Sequence, residues 1–468
     1  MRRTKIICTI GPKTSTYEAL EALAQGGMNV ARLNFSHGTY EWHGDVMDKV
    51  KQLNATGKYS IALMLDTKGP EIRTGDLAQP MALSKGDTVT LTIRNEAQHP
   101  ANTTSINYDQ FINDVEVGDQ LLIDSGLINL KIVSKTSTDV ITEVLDGGSM
   151  SSRRHVNILG KSANLPAITE KDWEDINFGI SKGIDFIALS FVNGAEVVNK
   201  LKAHLESKNS SIAIVSKIES VDAVTYLDEI IEASDAIMIA RGDLGAELPV
   251  EEVPLIQRRI IYLCRKAGKP VIVATQLLES MMVNPTPTRA EVTDIYYAVN
   301  ARADAIMMSG ETANGNYPFK ALETMDKIAK RTETKFLENT EIKVEFSNIP
   351  KNEIALGSCV IANNVNAKVM IVFTKTGQTL SLVSQCRPNS PIHAFTYSES
   401  LKKQLNLYWG TKSHLVTNYH NPEQNIQEAV AILKESGDVV PGDAAIIVSD
   451  ILVDEANYVH TIQVRYIS

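Results

Sequence analysis

The sequence predicts an α/β fold: a (β/α)8 TIM barrel with an all-β domain inserted after the third strand and a C-terminal α/β domain. Three observations carry this. Up to about residue 340, eight short apolar runs alternate with amphipathic segments. One interval of more than a hundred residues, between Thr67 and Asp185, breaks the rhythm. Beyond about residue 345 strand and helix patterns resume without continuing the barrel. Strand-then-helix units repeated eight times argue for parallel strands closed on themselves.

The eight runs are Lys5–Ile10, Met28–Phe35, Ser60–Thr67, Asp185–Val192, Ser211–Glu219, Asp235–Arg241, Pro270–Gln276 and Asp304–Gly310. They read as near-continuous apolar stretches, the pattern of strands covered on both faces. Gly26-Gly27, Gly57, Gly183 and Gly268 close intervening amphipathic segments, as helix C-caps do. Residues 71–165 differ, being rich in Thr, Asp, Asn, Gly and Ser, with short alternating stretches such as Thr88–Ile93 and Gln120–Ile123. Turn signals at Lys85-Gly-Asp87, Val117-Gly-Asp119 and Asp146-Gly-Gly148 separate them. Pro70 and Pro166 are the expected hinges. The expected division is a barrel from 1–69 and 167–342, an inserted β-barrel lid from 70–166, and a C-terminal domain from 343–468. Its expected strands are Val369–Thr374, Ile392–Thr396, Ala444–Ser449 and Thr461–Ile467.

Composition limits the function classes. The chain is 468 residues long, 43% hydrophobic and 22% charged, and no apolar stretch approaches the roughly 20 residues that span a bilayer. A net charge of −10 argues against nucleic acid as a partner. Neither membrane nor nucleic acid is expected, and the expected location is cytoplasmic. Cys8, Cys264, Cys359 and Cys386 are scattered without CxxC spacing, so buried reduced thiols are expected rather than zinc or disulfides.

A strand buried on both faces has no solvent side for charge, so charges at its end mark a candidate site. In a barrel such sites form at the C-terminal ends of several strands. Lys217-Ile-Glu219 closes one run and Arg241-Gly-Asp243 the next. Others end in Arg32-Leu-Asn34-Phe-Ser36-His37, Asp66-Thr67-Lys68-Gly-Pro-Glu71-Ile-Arg73, Ala274-Thr275-Gln276 and Ser309-Gly-Glu311. Two acids, completed by water and substrate oxygens, suit a hard cation such as magnesium. The lysine beside them suits a phosphate-bearing substrate. Asn34, Ser36, Asp66 and Thr67 offer oxygens with one formal negative charge, which suits a monovalent cation or a hydrogen-bonded turn network.

The segments Thr4-Lys-Ile-Ile-Cys-Thr-Ile-Gly-Pro12, Met28-Asn-Val-Ala-Arg-Leu-Asn-Phe-Ser-His-Gly38, Leu65-Asp-Thr-Lys-Gly-Pro-Glu-Ile-Arg-Thr-Gly75, Ser216-Lys-Ile-Glu219, Ala240-Arg-Gly-Asp-Leu-Gly245 and Pro285-Thr-Pro-Thr-Arg-Ala-Glu291 together resemble pyruvate kinase. The similarity spans the whole length, insert included. It implies reversible phosphoryl transfer from phosphoenolpyruvate to ADP, giving pyruvate and ATP. By resemblance Glu219 and Asp243 hold Mg2+ (or Mn2+), Lys217 stabilises the phosphoryl group in transfer, and Arg32 binds the same phosphate. Gly242 and Asp243 cradle the substrate carboxylate. Arg73 reaches the nucleotide phosphates. Asn34, Ser36, Asp66 and Thr67 hold K+, and Asn34 also borders the nucleotide. His37 either lines the adenine pocket or caps its turn. Glu71 goes with potassium dependence in relatives of this type. Thr275 takes the family's proton-donor place, and a water relay through Ser309 and Glu311 is the expected supply.

Two departures accompany the resemblance. The family's Lys-Gly-Val-Asn-Leu-Pro-Gly segment is Arg154-His-Val-Asn-Ile-Leu-Gly160 here, so Arg154 is the expected replacement for a nucleotide-binding lysine. The C-terminal domain resembles an effector domain whose turn Thr374-Lys375-Thr376-Gly377-Gln378-Thr379 suits a phosphate, but the following loop, Val453–His460, carries Asp454 and Glu455. A sugar monophosphate or nucleotide effector, or a weakened effector site, is therefore expected in place of tight fructose-bisphosphate control. A homotetramer is implied by resemblance, through Pro285–Glu291. The alternatives are another Mg-dependent pyruvate-enolate barrel enzyme, an aldolase or lyase, and a non-catalytic metabolite sensor.

Overall fold

A computed structural model describes residues 2–94, 96, 99–124, 126–161, 163, 165–335, 350–417, 421–452 and 458–468. The chain opens with β1 (Lys5–Thr9), β2 (Val30–Asn34) and β3 (Ala62–Asp66). The insert follows, with β4 (Met81–Leu83), β5 (Thr88–Thr92), β6 (Thr103–Ser105), β7 (Gln120–Ile123), β8 (Ile128–Lys135), β9 (Asp139–Asp146), β10 (Gly148–Met150) and β11 (Val156–Ile158). Then come β12 (Phe186–Leu189), β13 (Ala213–Ile218), β14 (Ala236–Ala240), β15 (Val271–Ala274) and β16 (Ala305–Met308). Each expected apolar run contains one of the eight barrel strands, which close in the order β1-β16-β15-β14-β13-β12-β3-β2. Neighbouring strands are parallel throughout.

Burial on both faces explains the lack of alternation in these strands. Ile7, Val30, Met64, Val215, Met238, Ile272 and Met307 fill the barrel interior, while Ile6, Leu33, Leu65, Ile187, Ile237 and Val273 pack outward with the helices.

The bottom of the barrel carries a fourfold cap. Asn29, Asp185, Asp235 and Asp304 each stand one residue before an even-numbered strand of the barrel. Their side chains accept the N–H of Ile6 (3.0 Å), Leu63 (2.8 Å), Ile214 (2.8 Å) and Val271 (3.2 Å) on the preceding strand. Their own N–H groups donate to the carbonyls of the same four residues. Backbone groups at the closed end, which would otherwise be buried unpaired, are thus satisfied.

The insert is all-β apart from the single-turn helix Phe111–Asp114. It is not the closed barrel expected. Six strands run β11-β7-β8-β9-β5-β6, and β4 pairs separately with β10. The outer strands β6 and β11 are three residues long, too short to curl the sheet into closure. The insert's two connections pair as an antiparallel ribbon, with Thr74 N–H to Arg154 O at 2.8 Å and Val156 N–H to Ile72 O at 2.9 Å.

The C-terminal sheet contains β17 (Val369–Phe373), β18 (Ile392–Thr396), β19 (Thr411–Leu415), β20 (Ala444–Leu452) and β21 (Tyr458–Tyr466), in the order β19-β18-β17-β20-β21. Only β21 is antiparallel. Strand β19 has no apolar pattern to announce it, because its buried positions are Thr411 and Ser413. Residues 453–457, with Asp454 and Glu455 among them, lie outside the described residues. All four cysteines are buried and free, and no helix among the described residues is long and apolar enough to cross a membrane.

The C-terminal domain docks on the barrel bottom. Leu407 joins the barrel-interior cluster, Trp409 N–H donates to Asp304 Oδ1 at 3.1 Å, and the buried pair Arg387–Asp304 closes at 2.8 Å. Arg3 and Arg387 lie over the Trp409 ring, at 5.3 and 5.2 Å. Lys5 Nζ donates to the carbonyl of Thr411 across this junction. Burial lowers its pKa to about 7, a direction that Arg2 reinforces against Glu333 and Asp304. The folded protein therefore binds fewer protons than the unfolded chain between about pH 7 and the ordinary lysine value. On that account this residue makes stability rise with pH across that window and leaves it flat below. Lys5→Met should remove that rise in urea titrations at pH 7 and pH 9; an unchanged pH dependence would contradict the assignment.

Candidate active site

The C-terminal rim of the barrel gathers charge around Asp66. Strands β2 and β3 pair Asn34 with Asp66. Arg32 Nε donates to Asp66 Oδ2 at 2.6 Å and Arg32 Nη1 to Thr9 Oγ1 at 2.8 Å. From β13, Lys217 Nζ reaches Asp66 Oδ1 (3.1 Å), Ser190 Oγ (2.8 Å) and Glu219 Oε1 (2.8 Å). Asp66 and Ser190 take hydrogen bonds from the ammonium, and Glu219 is its ion-pair partner.

The carboxylates respond differently. Burial works against the charge on Asp66, yet Arg32 and Lys217 together hold its pKa below the usual range. Glu219 has one cation and a second acid for neighbours. Burial, with Asp243 adding to it, pushes its pKa up to about 7 despite Lys217. Asp243 is raised too, by burial and then by Glu71 and Asp66 against the pull of Lys217. Burial would lower Lys217, but Asp66 and Glu219 overcome it and hold the lysine charged.

Glu219 Oε2 accepts the Phe191 N–H at 2.7 Å. Its Oε1 meets Lys217 by proximity and receives no well-directed hydrogen bond. Two adjoining acids, both costly to ionise and one with an unsatisfied oxygen, fit a hard divalent cation completed by substrate and water. No cluster of three acidic, histidine or cysteine side chains suited to a metal occurs among the described residues.

Thr275 ends β15 at φ +66, followed by Gln276 at φ +56. A β-branched residue in the left-handed region is strained. Arg241 holds it there, with Nε donating to Ala274 O at 3.1 Å and Nη2 to Thr275 O. Asp294 in turn anchors that guanidinium at 2.7 Å. Thr275 Oγ1 accepts the Gly242 N–H (3.0 Å) and donates to Ala274 O (2.7 Å). The Gly242 N–H expected to face a substrate carboxylate is therefore engaged by Thr275. Glu311 is buried beside Ser309, its oxygens accepting Leu278 N–H (3.1 Å) and Ser309 N–H (2.8 Å).

A cavity of about 560 Å³ opens beside Arg32, bordered by Pro12, Asn34, His37, Trp42 and Ser309. The His37 carbonyl accepts His43 Nε2 at 2.8 Å, so its backbone fixes the turn and its residue lines the cavity. Arg73 and Arg154 sit on the insert's ribbon. Arg73 pairs with Glu71 at 2.7 Å and donates to Arg153 O; Arg154 pairs with Asp124 at 3.4 Å. Among the potassium-type residues, Asn34 Oδ1 accepts Ser36 N–H and Thr67 Oγ1 accepts Ser190 N–H. Asp66 adds the charge but shares it with two cations. In the C-terminal turn, Thr374 Oγ1 accepts Gly377 N–H at 2.8 Å. Thr374 and Thr379 are buried, and Lys375 and Thr376 are exposed.

Sequence reasoning missed Ser190, Phe191, Thr9 and the anchoring role of Arg241. Ser190 had a signal, a hydroxyl at the end of the apolar run Phe186–Leu189. Phe191 had none, since it acts through its backbone N–H.

A parallel barrel whose rim groups lysine, arginine and paired acids beside an inserted sheet has the charge arrangement that phosphoryl transfer uses. Residues 1–322 match the family described as pyruvate kinase, barrel domain, and residues 352–465 match pyruvate kinase, alpha/beta domain. Plastidial pyruvate kinase 2 of Arabidopsis thaliana is 47% identical, covering 99% of this chain and 81% of its own. Chloroplastic pyruvate kinase isozyme A of Ricinus communis is 44% identical, covering 96% and 81%. A solved pyruvate kinase from Cryptosporidium parvum superposes with a TM-score of 0.92 at 36% identity, covering 99% of this chain and 96% of its own. The chain belongs to the pyruvate kinase family, and its activity is phosphoryl transfer between phosphoenolpyruvate and ADP. Neither alternative reading finds support. The cytoplasmic expectation is corrected, because these two relatives, matched along nearly the whole chain, are plastid enzymes. A second aqueous, reducing compartment makes the same demands on composition and thiols, so those features could not discriminate.

Proposed function

We propose that the rim described above carries out this reaction with the roles expected from the sequence: a catalytic barrel from 1–69 and 167–342, a lid from 70–166 and an effector domain from 343–468. The observation that supports it most is Lys217 held charged between Asp66, Ser190 and Glu219. Phosphoryl transfer asks the protein mainly to position reactants and stabilise charge. Arg32 and Lys217 share Asp66 and are fixed before substrate enters. A phosphate oxygen can replace the neutral acceptors Thr9 and Ser190 while the carboxylates keep both cations in place. Glu219 and Asp243 would hold Mg2+ or Mn2+, which when bound supplies Lewis-acid stabilisation of phosphate and enolate oxygens. Arg73, Arg154, Asn34 and His37 would hold ADP, and Asp243 the substrate carboxylate, joined by Gly242 once Thr275 Oγ1 releases its N–H.

Transfer breaks the phosphorus–oxygen bond of phosphoenolpyruvate and leaves an enolate that takes a proton at carbon 3. Thr275 would deliver it once its hydroxyl turns from the Ala274 carbonyl. A threonine is a weak acid, so the proton it gives is replaced through water. The test is a coupled assay of pyruvate from phosphoenolpyruvate and ADP with magnesium; no pyruvate from the folded chain would overturn the reading.

Asn34, Ser36, Asp66 and Thr67 would hold K+, with Glu71 the companion residue. Replacing potassium by tetramethylammonium should therefore lower turnover by about 10²-fold, the weight of one lost transition-state charge contact. Full activity without potassium would refute this site. We assign Thr374, Lys375, Thr376 and Thr379 to a sugar monophosphate or nucleotide effector, and the assembly as a homotetramer.

A further inference from the structure

Phe191 is a strained residue that the mechanism leaves unused. It bears an aromatic ring at φ +50, a conformation bulky side chains rarely adopt. Its N–H donates to Glu219 Oε2 at 2.7 Å. Its ring faces the insert edge-on to His155, with centroids 6.4 Å apart and planes at 72°. The residue also packs on the start of the hinge: a Cβ added at Gly69 would fall 2.7 Å from Phe191 Cδ2. Phe191 and His155 both line the cleft between barrel and insert, with Pro70 and Ile72 on its wall. One residue therefore touches the insert with its side chain and the Glu219 carboxylate with its backbone.

We propose that Phe191 is a positioning residue that couples the posture of the insert to Glu219. A shift of His155 against the ring changes the torsion of a backbone with little freedom, and the Phe191 N–H carries that change to Glu219 Oε2. Coupling is reciprocal, so a cation held by Glu219 favours one posture of the insert. The inference rests on the assignment of Glu219 and Asp243 to a divalent cation.

The test uses the full chain with Mn2+ as the probe. Free Mn2+ is counted by electron paramagnetic resonance, and exchange of backbone amides in 69–76 and 153–158 is followed by mass spectrometry. In the wild type, Mn2+ should slow exchange in both segments by about fivefold or more, the lower end of ordinary site-to-site coupling. Phe191→Ala should still bind Mn2+ but slow exchange by less than about twofold. His155→Ala should do the same from the other side. Phe191→Leu, which keeps bulk without an aromatic edge, should recover part of the protection and serves if the alanine variant is unstable. Wild-type protection in all three substitutions overturns the coupling. Mn2+ binding that survives Glu219→Gln unchanged overturns the cation assignment beneath it, a distinguishable failure.

Discussion

Lys217→Met is expected to lower kcat by about 10³-fold or more, the range seen when a cation aimed at a transferring phosphoryl group is lost. The side chains are of similar length, so the loss is one of charge and three N–H donors. Lys217 is held by Asp66, Ser190 and Glu219. Arg32 remains on Asp66 in the variant, so phosphoenolpyruvate should still bind, and KM for ADP should change little. Glu219 and Asp243 are left facing each other without their shared counter-charge. Circular dichroism and the unfolding midpoint should accompany the assay, to separate lost chemistry from lost structure. Turnover unaffected by the substitution would sink the mechanism.

The largest effect on stability is expected at Arg387→Leu. Arg387 and Asp304 are almost wholly buried, with side-chain exposures of 2% and 3%, and Asp304 also accepts Trp409 N–H and Val271 N–H. Removing the arginine leaves a carboxylate buried beneath the barrel without its cation. Breaking a buried pair in this way costs about 3–5 kcal/mol. Arg387 also donates to Ser384 O and Arg302 O, so the cut frees carbonyls on both domains. The first transition in urea should move to lower concentration in Arg387→Leu and recover in part in Arg387→Leu/Asp304→Asn, which removes the charge and keeps a side-chain oxygen for the Val271 and Trp409 N–H groups. A midpoint within error of wild type would show that the Arg387–Asp304 pair adds nothing net to the junction.

Much of this molecule was readable from its residues because burial leaves a mark. Strands covered on both faces cannot alternate, so all eight barrel strands stood out, and charges at their ends stood out in turn. Strand β19 was hidden because Thr411 and Ser413 take its buried places. The insert's open sheet was hidden because closure depends on strand length and pairing, which local turn signals do not report. At the site, Lys217, Glu219, Asp243 and Arg32 were visible as charges where charge is costly. Phe191 and the engaged state of Glu311 were not, since each depends on a backbone N–H. The plastid relatives expose a further limit: compartment leaves little trace in a globular composition.

The fourfold cap at the barrel bottom has a consequence for the order of folding. Three of its contacts close chain loops of 23, 21 and 33 residues, whereas Leu63–Asp185 closes one of 122. Loop-closure entropy grows with the logarithm of length, so the long closure costs roughly 1.4 kcal/mol more than the shorter ones. The ribbon that joins Thr74 to Arg154 shortens that loop once the insert has folded. The insert is therefore best folded first, as a nucleus of its own, and the quarter of the barrel that carries it completes the ring last.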